Sequence, residues 1–167
     1  MGSWTDVGNT VCPIARSLAE VGDRWTMLIL RELFMDNNRF EEIQAQTEAS
    51  SQMLAMRLKR LEADGLVARH PYSKRPLRHE YRLTEKGRAF YPVILALRSW
   101  GETWCKADHE GIAVRLTHRK CGHDIGLHAT CPSCGETFER QDLDAELSPS
   151  FAEERAKRHA AFKSRNG

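Results

Sequence analysis

The chain has 167 residues, 41% apolar and 29% charged, with a formal net charge of +2; this suits a folded globular protein with one main core and a small appendage, and excludes a largely disordered chain. No apolar run approaches the roughly 20 residues of a membrane helix and no secretion-type segment opens the chain, so a cytoplasmic protein without membrane contact is expected. Of five cysteines, Cys121, Cys131 and Cys134 fall close together, which in a reducing compartment points to metal or redox chemistry over a disulfide framework.

Residues 1–11 lack apolar periodicity and read as a flexible arm. Cys12-Pro13 opens a first helix, with proline suited to the first turn, and Gly22 ends it. Asp23 caps a second helix in which Trp25, Met27, Leu28, Ile29, Leu30, Leu33 and Phe34 are apolar on nearly every side, so it belongs in mid-core. After a turn at Asp36-Asn37-Asn38, a short third helix (Arg39 to Gln46) buries Phe40, Ile43 and Ala45. A polar turn (Thr47 to Ser50) leads into a fourth helix, Ser51 to Ala63, where Leu54, Leu58 and Leu61 recur at i, i+4 and i+7. At 100° per residue Gln52, Met56 and Lys59 point away from that stripe, with Met53, Arg57 and Arg60 on its flank. Gly65 acts as a left-handed cap. A strand from Leu66, a turn at Ser73 to Pro76 and a returning strand at Glu80 to Leu83 form a hairpin.

Thr84 caps a last long helix, which Pro92 bends or interrupts. Its Phe90, Val93, Ile94, Leu97, Trp100 and Trp104 cover more than one core stripe. The tryptophans serve either plain core packing or a partner chain; a terminal helix with so wide an apolar face favours a homodimer.

Between Arg57 and Arg88 there are ten Lys or Arg against four Asp or Glu, a net +6, which leaves the rest of the chain at −4. So uneven a distribution points to a polyanion facing one surface. A helix fits the DNA major groove, and a preceding helix can hold it against the backbone. In that arrangement Ser50 and Ser51 bond phosphate at the helix N-terminus, Gln52 reads adenine, and Arg57 or Lys59 meets guanine or phosphate. Lys74, Arg75 and Arg78 on the hairpin touch the backbone or an adjacent minor groove, and Pro76 stiffens the tip. Arg39, Met56 and Arg60 complete the candidate DNA-binding set. The plain alternative is a solvated charged face.

Cys12-Pro13-Ile14, Gly22-Asp23-Arg24-Trp25, Arg39-Phe40, Leu61-Glu62-Ala63-Asp64-Gly65-Leu66-Val67, Tyr81-Arg82-Leu83-Thr84-Glu85-Lys86-Gly87 and Trp100-Gly101 resemble the HxlR-type transcription regulators, relatives of the MarR regulators. The resemblance covers about residues 12 to 105. It implies a bacterial winged helix-turn-helix homodimer, a repressor on double-stranded operator DNA, with first and last helices at the dimer interface and reading helices one DNA turn, ~34 Å, apart. Control by a small-molecule effector or by thiol oxidation is also implied. Some members sense oxidants through a cysteine at the position of Cys12; a helix start favours a negatively charged sulfur. The competing reading of Cys12 is a small buried hydrophobe near the dimer contact, and Cys105 reads as structural.

His118-x2-Cys121, nine residues, then Cys131-x2-Cys134 make two knuckles whose nitrogen and three sulfurs can close a tetrahedron around structural zinc. Gly122 and Gly135 permit the turns. His123 or His128 can substitute for His118, and a thiol-disulfide pair at Cys131 and Cys134 is the other chemistry open to the cluster. So small a region has too little core to fold without its metal.

The expected fold is mainly α with a small β-hairpin wing (α+β): a winged helix-turn-helix domain with dimerisation helices over 12–110, a zinc-ribbon-like module over 111–140 and a charged tail over 141–167. No Ser-His-Asp set, Gly-rich phosphate loop or paired carboxylate argues for an enzyme. The competing function is a zinc-dependent adaptor for RNA or protein, though duplex RNA hides its major groove from the outward side chains of the fourth helix.

Overall fold

The computed structural model describes residues 8–107 and 109–166. Of the arm expected over residues 1–11, residues 1–7 lie outside the described residues. The chain divides into two compact units, Met1–Gly87 and Arg88–Gly167.

In the first unit, α1 (Pro13–Val21) starts with its proline in the first turn. It ends at Gly22, whose N–H donates to Leu18 O at 2.8 Å and where a Cβ would lie 2.4 Å from that same oxygen. Asp23 accepts the Trp25 and Thr26 backbone N–H groups, each at 3.0 Å, and so starts α2 (Arg24–Phe34). Ile29, Leu30, Leu33 and Phe34 are buried as the sequence indicates. Glu32 is fully buried too: its carboxylate accepts Arg31 Nε at 2.8 Å and Asn37 Nδ2 at 2.7 Å, which closes the turn after α2. Charge burial of this kind is tolerable only with such partners.

Helix α3 (Phe40–Thr47) buries Ile43 and Ala45, and Glu48 takes the left-handed conformation that turns the chain. Ser50 Oγ accepts Met53 N–H at 3.2 Å and starts α4 (Ser51–Ala63). Leu54, Leu58 and Leu61 are buried, and α2 packs against both α3 and α4. Each buried leucine contributes about 1.5–3 kcal/mol. Gly65, at φ +73°, ends the turn after α4.

Strands β1 (Val67–Lys74) and β2 (Leu77–Leu83) pair antiparallel from Val67 opposite Leu83 to Lys74 opposite Leu77, with a bulge between Pro71 and Ser73. The hairpin is longer than the sequence indicates: Lys74 ends β1 and Arg78 lies within β2, leaving Arg75-Pro76 as the turn. Tyr81 N–H donates to Asn38 O at 2.7 Å and fixes its base beside the α2–α3 turn.

The single last helix expected from Thr84 is two helices. Thr84 Oγ1 accepts Gly87 N–H at 3.1 Å and starts α5 (Glu85–Arg88); Pro92 then stands in the first turn of a new helix, α6 (Tyr91–Trp104). The core stripe expected for α6 is also corrected. Tyr91 and Leu95 are its buried residues, whereas Val93, Leu97, Trp100 (58%) and Trp104 (73%) are exposed. Helix α6 falls within the second compact unit.

Downstream, β3 (Val114–His118) is central in a three-stranded antiparallel sheet, between β4 (His123–Asp124) and β5 (Leu143–Leu147). The segment expected as a charged tail over 141–167 contains a strand and a helix. A 3-10 turn at Arg140–Asp142 leads into β5, which pairs along all of β3, and α7 (Pro149–Asn166) follows. Ser148 Oγ accepts Phe151 N–H at 3.2 Å to start α7, and the i,i+4 pairs Glu153–Lys157 and Glu154–Arg158 span successive turns.

Gly87 gives a direct check on the first unit. A Cβ at this position would lie 2.1 Å from the Leu66 carbonyl oxygen, so Gly87→Ala should cost about 1–3 kcal/mol in urea unfolding; unchanged stability would show that the close approach of α5 to Leu66 is absent.

Candidate nucleic-acid interface and metal centre

The leucine stripe of α4 sets which side chains face outward. Gln52 and Lys59 are exposed and Met56 is 52% exposed, as the 100° spacing requires. Ser50 and Ser51 open the helix; their oxygens accept from Met53 N–H and from Gln44 Nε2 (2.8 Å), so each hydroxyl proton remains to donate. Arg39 stacks its guanidinium over Tyr72 of β1, 4.7 Å from the ring centroid.

The basic residues separate into two groups. Arg57 Nε stands 3.4 Å from Asp23 Oδ1, and Arg60 bonds Asp64 at 2.7 Å. Arg69 faces Glu62 at 3.9 Å, Arg82 bonds Glu80 and Lys86 bonds Glu20 at 2.7 Å. By contrast Lys59, Lys74, Arg75 and Arg78 are exposed and have no acidic partner among the described residues. Among the basic residues of α4 and the hairpin, the unneutralised charge thus lies on the outward face of α4 and at the hairpin tip. Counting charges along the sequence reveals the excess but not this division; the Arg60/Asp64 spacing of i,i+4 is the signal for one of the pairs.

The second site is built from two turns. Gly122 N–H donates to His118 O at 2.7 Å and Gly135 N–H to Cys131 O at 2.8 Å, with φ of +72° and +74° at the two glycines. Each turn presents two ligands inward. The ligand atoms of His118, Cys121, Cys131 and Cys134 all lie within 4.8 Å of one another. His118 Nδ1 is 3.4 Å from the Cys121 and Cys134 sulfurs, and the Cys121 and Cys131 sulfurs are 3.4 Å apart. One nitrogen and three sulfurs converging from two knuckles can hold a metal ion.

The three candidate histidines are thereby distinguished. His118 is buried at the end of β3; His123 is exposed, with Nδ1 2.9 Å from Cys121 O, and His128 is exposed outside the cluster. Backbone N–H groups of Cys134 and Ser133 donate toward the Cys131 sulfur and hold its thiol down to about 6 despite burial. At Cys121 the His123 backbone N–H favours the thiolate, but burial and the Cys131 and Cys134 sulfurs outweigh it and leave the thiol above its ordinary value.

Cys12 is the N-cap of α1 and is exposed, its N–H bonded to Thr10 Oγ1 at 3.2 Å. Cys105, at the C-cap of α6, is also exposed.

Stripe, turn, outward face and basic hairpin define a winged helix-turn-helix DNA-binding protein with an appended Cys/His unit. The profile of the HxlR-like helix-turn-helix family matches residues 20–109. The HTH-type transcriptional regulator Rv3095 of Mycobacterium tuberculosis is 38% identical over 138 residues, 83% of this chain and 87% of its own. An alignment of that length cannot fit within residues 1–109, so it runs into the Cys/His unit. YodB of Bacillus subtilis, an HTH-type transcriptional regulator, is 38% identical over 102 residues, 60% of this chain and 91% of its own. Among solved structures, the transcription factor PA1607 superposes with a TM-score of 0.67 at 34% identity, covering 87% of this chain and 99% of that one. The redox regulator HypR in its oxidized form gives 0.52 at 34%, covering 58% and 99%. The chain belongs to the HxlR-like helix-turn-helix family: it is a DNA-binding transcriptional regulator and not an enzyme. Among the described residues no helix is long and apolar enough to cross a membrane.

Replacing Cys131 and Cys134 together with Ser should reduce bound metal from about one ion per chain to none, measured by elemental analysis; retention of a full complement would remove these sulfurs from the site.

Proposed function

We propose that two copies of this chain form a homodimer that binds operator DNA as a cytoplasmic repressor, with α4 in the major groove and the β1–β2 hairpin on the flanking backbone or minor groove. Gln52, Met56 and Lys59 meet base edges, Arg57 and Arg60 flank them, Ser50, Ser51 and Arg39 bond phosphate, and Lys74, Arg75 and Arg78 act from the wing. The observation that carries this reading is the division of charge: among the basic residues of α4 and the β1–β2 hairpin, those without an acidic partner among the described residues are Lys59 of the outward helix face and Lys74, Arg75 and Arg78 of the wing. Exposed apolar side chains support the dimer, Ile14 and Leu18 on α1 and Val93, Leu97, Trp100 and Trp104 on α6.

The Cys/His cluster holds structural zinc, for which one imidazole and three thiolates are a suitable donor set. It is not a docking site for RNA: Arg115, Arg119 and Lys120 face Asp124, Asp144 and Glu136, so this side of the module offers a polyanion no surplus charge. Release from DNA follows oxidation of Cys12 or binding of a small-molecule effector. The exposed position of Cys12 at a helix start supports the first route.

Changing Lys74, Arg75 and Arg78 together to Ala should weaken duplex binding and lower the slope of log affinity against log salt by about one for each phosphate left without its cation; the same slope in fluorescence anisotropy titrations would remove the wing from the interface. After treatment with a thiol oxidant the parent protein should leave the duplex while Cys12→Ser stays bound. Equal release of both in a mobility-shift assay would end the sensor role of Cys12.

A further inference from the structure

Two stripes divide the surface of α6. Tyr91, Leu95, Arg98 and Glu102 recur at i, i+4, i+7 and i+11, and none of them is exposed. Val93, Leu97, Trp100 and Trp104 repeat that spacing two residues further on, about 200° around the axis, and all are exposed. The helix therefore has an inner face and an outer face.

The inner face is bonded to the Cys/His unit. Arg98 Nη1 donates to Gly126 O at 2.9 Å and Nη2 donates to Val114 O. Glu102 Oε1 accepts Ala113 N–H at 3.0 Å, while its other oxygen bonds Lys106 Nζ at 2.9 Å. Both carbonyls held by Arg98 lie on segments that run into the cluster. Val114 opens the strand that ends in His118, and Gly126 lies between the two knuckles. Few apolar side chains in this region are buried, among them Leu116, Ile125 and Leu143. A unit with so little core depends on its metal to stay folded.

We propose that the metal-loaded Cys/His unit is a brace for α6, holding its outer face in the setting that pairs with a second copy, so that metal occupancy governs dimerisation and, through it, DNA binding. This rests on the dimer and zinc assignments made above. Arg98 is the positioning residue that transmits the coupling. Without metal the knuckles relax and the two carbonyls leave the guanidinium, whose Nε has no hydrogen-bond partner among the described residues. A half-buried guanidinium stripped of acceptors must turn toward water, and the helix that carries it shifts.

The test is sedimentation equilibrium on the full chain, loaded with Zn(II) and stripped with chelator, with metal content and duplex binding measured on the same samples. Stripping should weaken the dimer about tenfold or more, within the range of ordinary coupling between sites, and added Zn(II) should restore it. Arg98→Ala should keep its zinc yet dimerise as weakly as the stripped parent, and stripping should then have little further effect. Glu102→Ala, which also leaves the ligands in place, provides a second variant and should weaken the dimer in the same direction. A parent dimer indifferent to stripping, or zinc-loaded Arg98→Ala and Glu102→Ala dimers as tight as the parent, would overturn the brace while leaving the dimer reading intact. A zinc-loaded parent that stays monomeric would overturn the dimer reading and the brace with it.

Discussion

The burial of Leu54, Leu58 and Leu61 along one side of α4 is the constraint on which the DNA-reading unit depends. Because these leucines occupy a single stripe against the packing of α2 and α3, the helix has one permitted rotation about its axis. That rotation turns Gln52, Met56 and Lys59 to solvent. Truncating a leucine in such a stripe would cost about 2–5 kcal/mol, so the outward face and the core are set by the same side chains. Asp23 ties the arrangement together: it caps α2 and stands beside Arg57 of α4.

Electrostatics refine this picture. A net excess of cations over residues 57 to 88 says only that a polyanion is attracted. The pairing of Arg57, Arg60, Arg69, Arg82 and Lys86 with carboxylates removes much of that excess from the interface. Exposed ion pairs of this kind add little to stability, typically about 0–1 kcal/mol, but they settle which cations are already neutralised. On α4 and the hairpin Lys59, Lys74, Arg75 and Arg78 are left, on two elements whose exposure follows from their own geometry. Beside the Cys/His cluster the basic residues Arg115, Arg119 and Lys120 each face an acid as well.

Much of this is legible in the sequence where one short-range rule decides the outcome. The α4 limits follow from a serine cap, a leucine stripe and Gly65; the two knuckles follow from ligand spacing and their glycines. Three features are not legible, for identifiable reasons. Glu32 looks like a surface charge in a helix and is buried only because Arg31 and Asn37 come to meet it. On α6 the hydrophobic pattern misdirects: its most conspicuous apolar residues, Trp100 and Trp104, are exposed, while the inner stripe includes Glu102 and Arg98, the latter with partners far along the chain at Val114 and Gly126. The last segment has balanced charge and reads as solvated, yet β5 is fixed by pairing with β3, an arrangement that no local pattern encodes. Its helix, by contrast, has local signals in Ser148 and the Glu153/Lys157 and Glu154/Arg158 spacings.

The central claim is that the outward face of α4 reads base edges. It is tested most directly by recovering duplexes from a random pool with the parent protein and with Gln52→Ala. The account predicts a two-fold repeated motif for the parent and loss of preference at one base pair in each half for the variant, a discrimination of about 1–3 kcal/mol at each base pair read. Recovery of no motif by the parent at low salt, or of an undiminished motif by the variant, would contradict it.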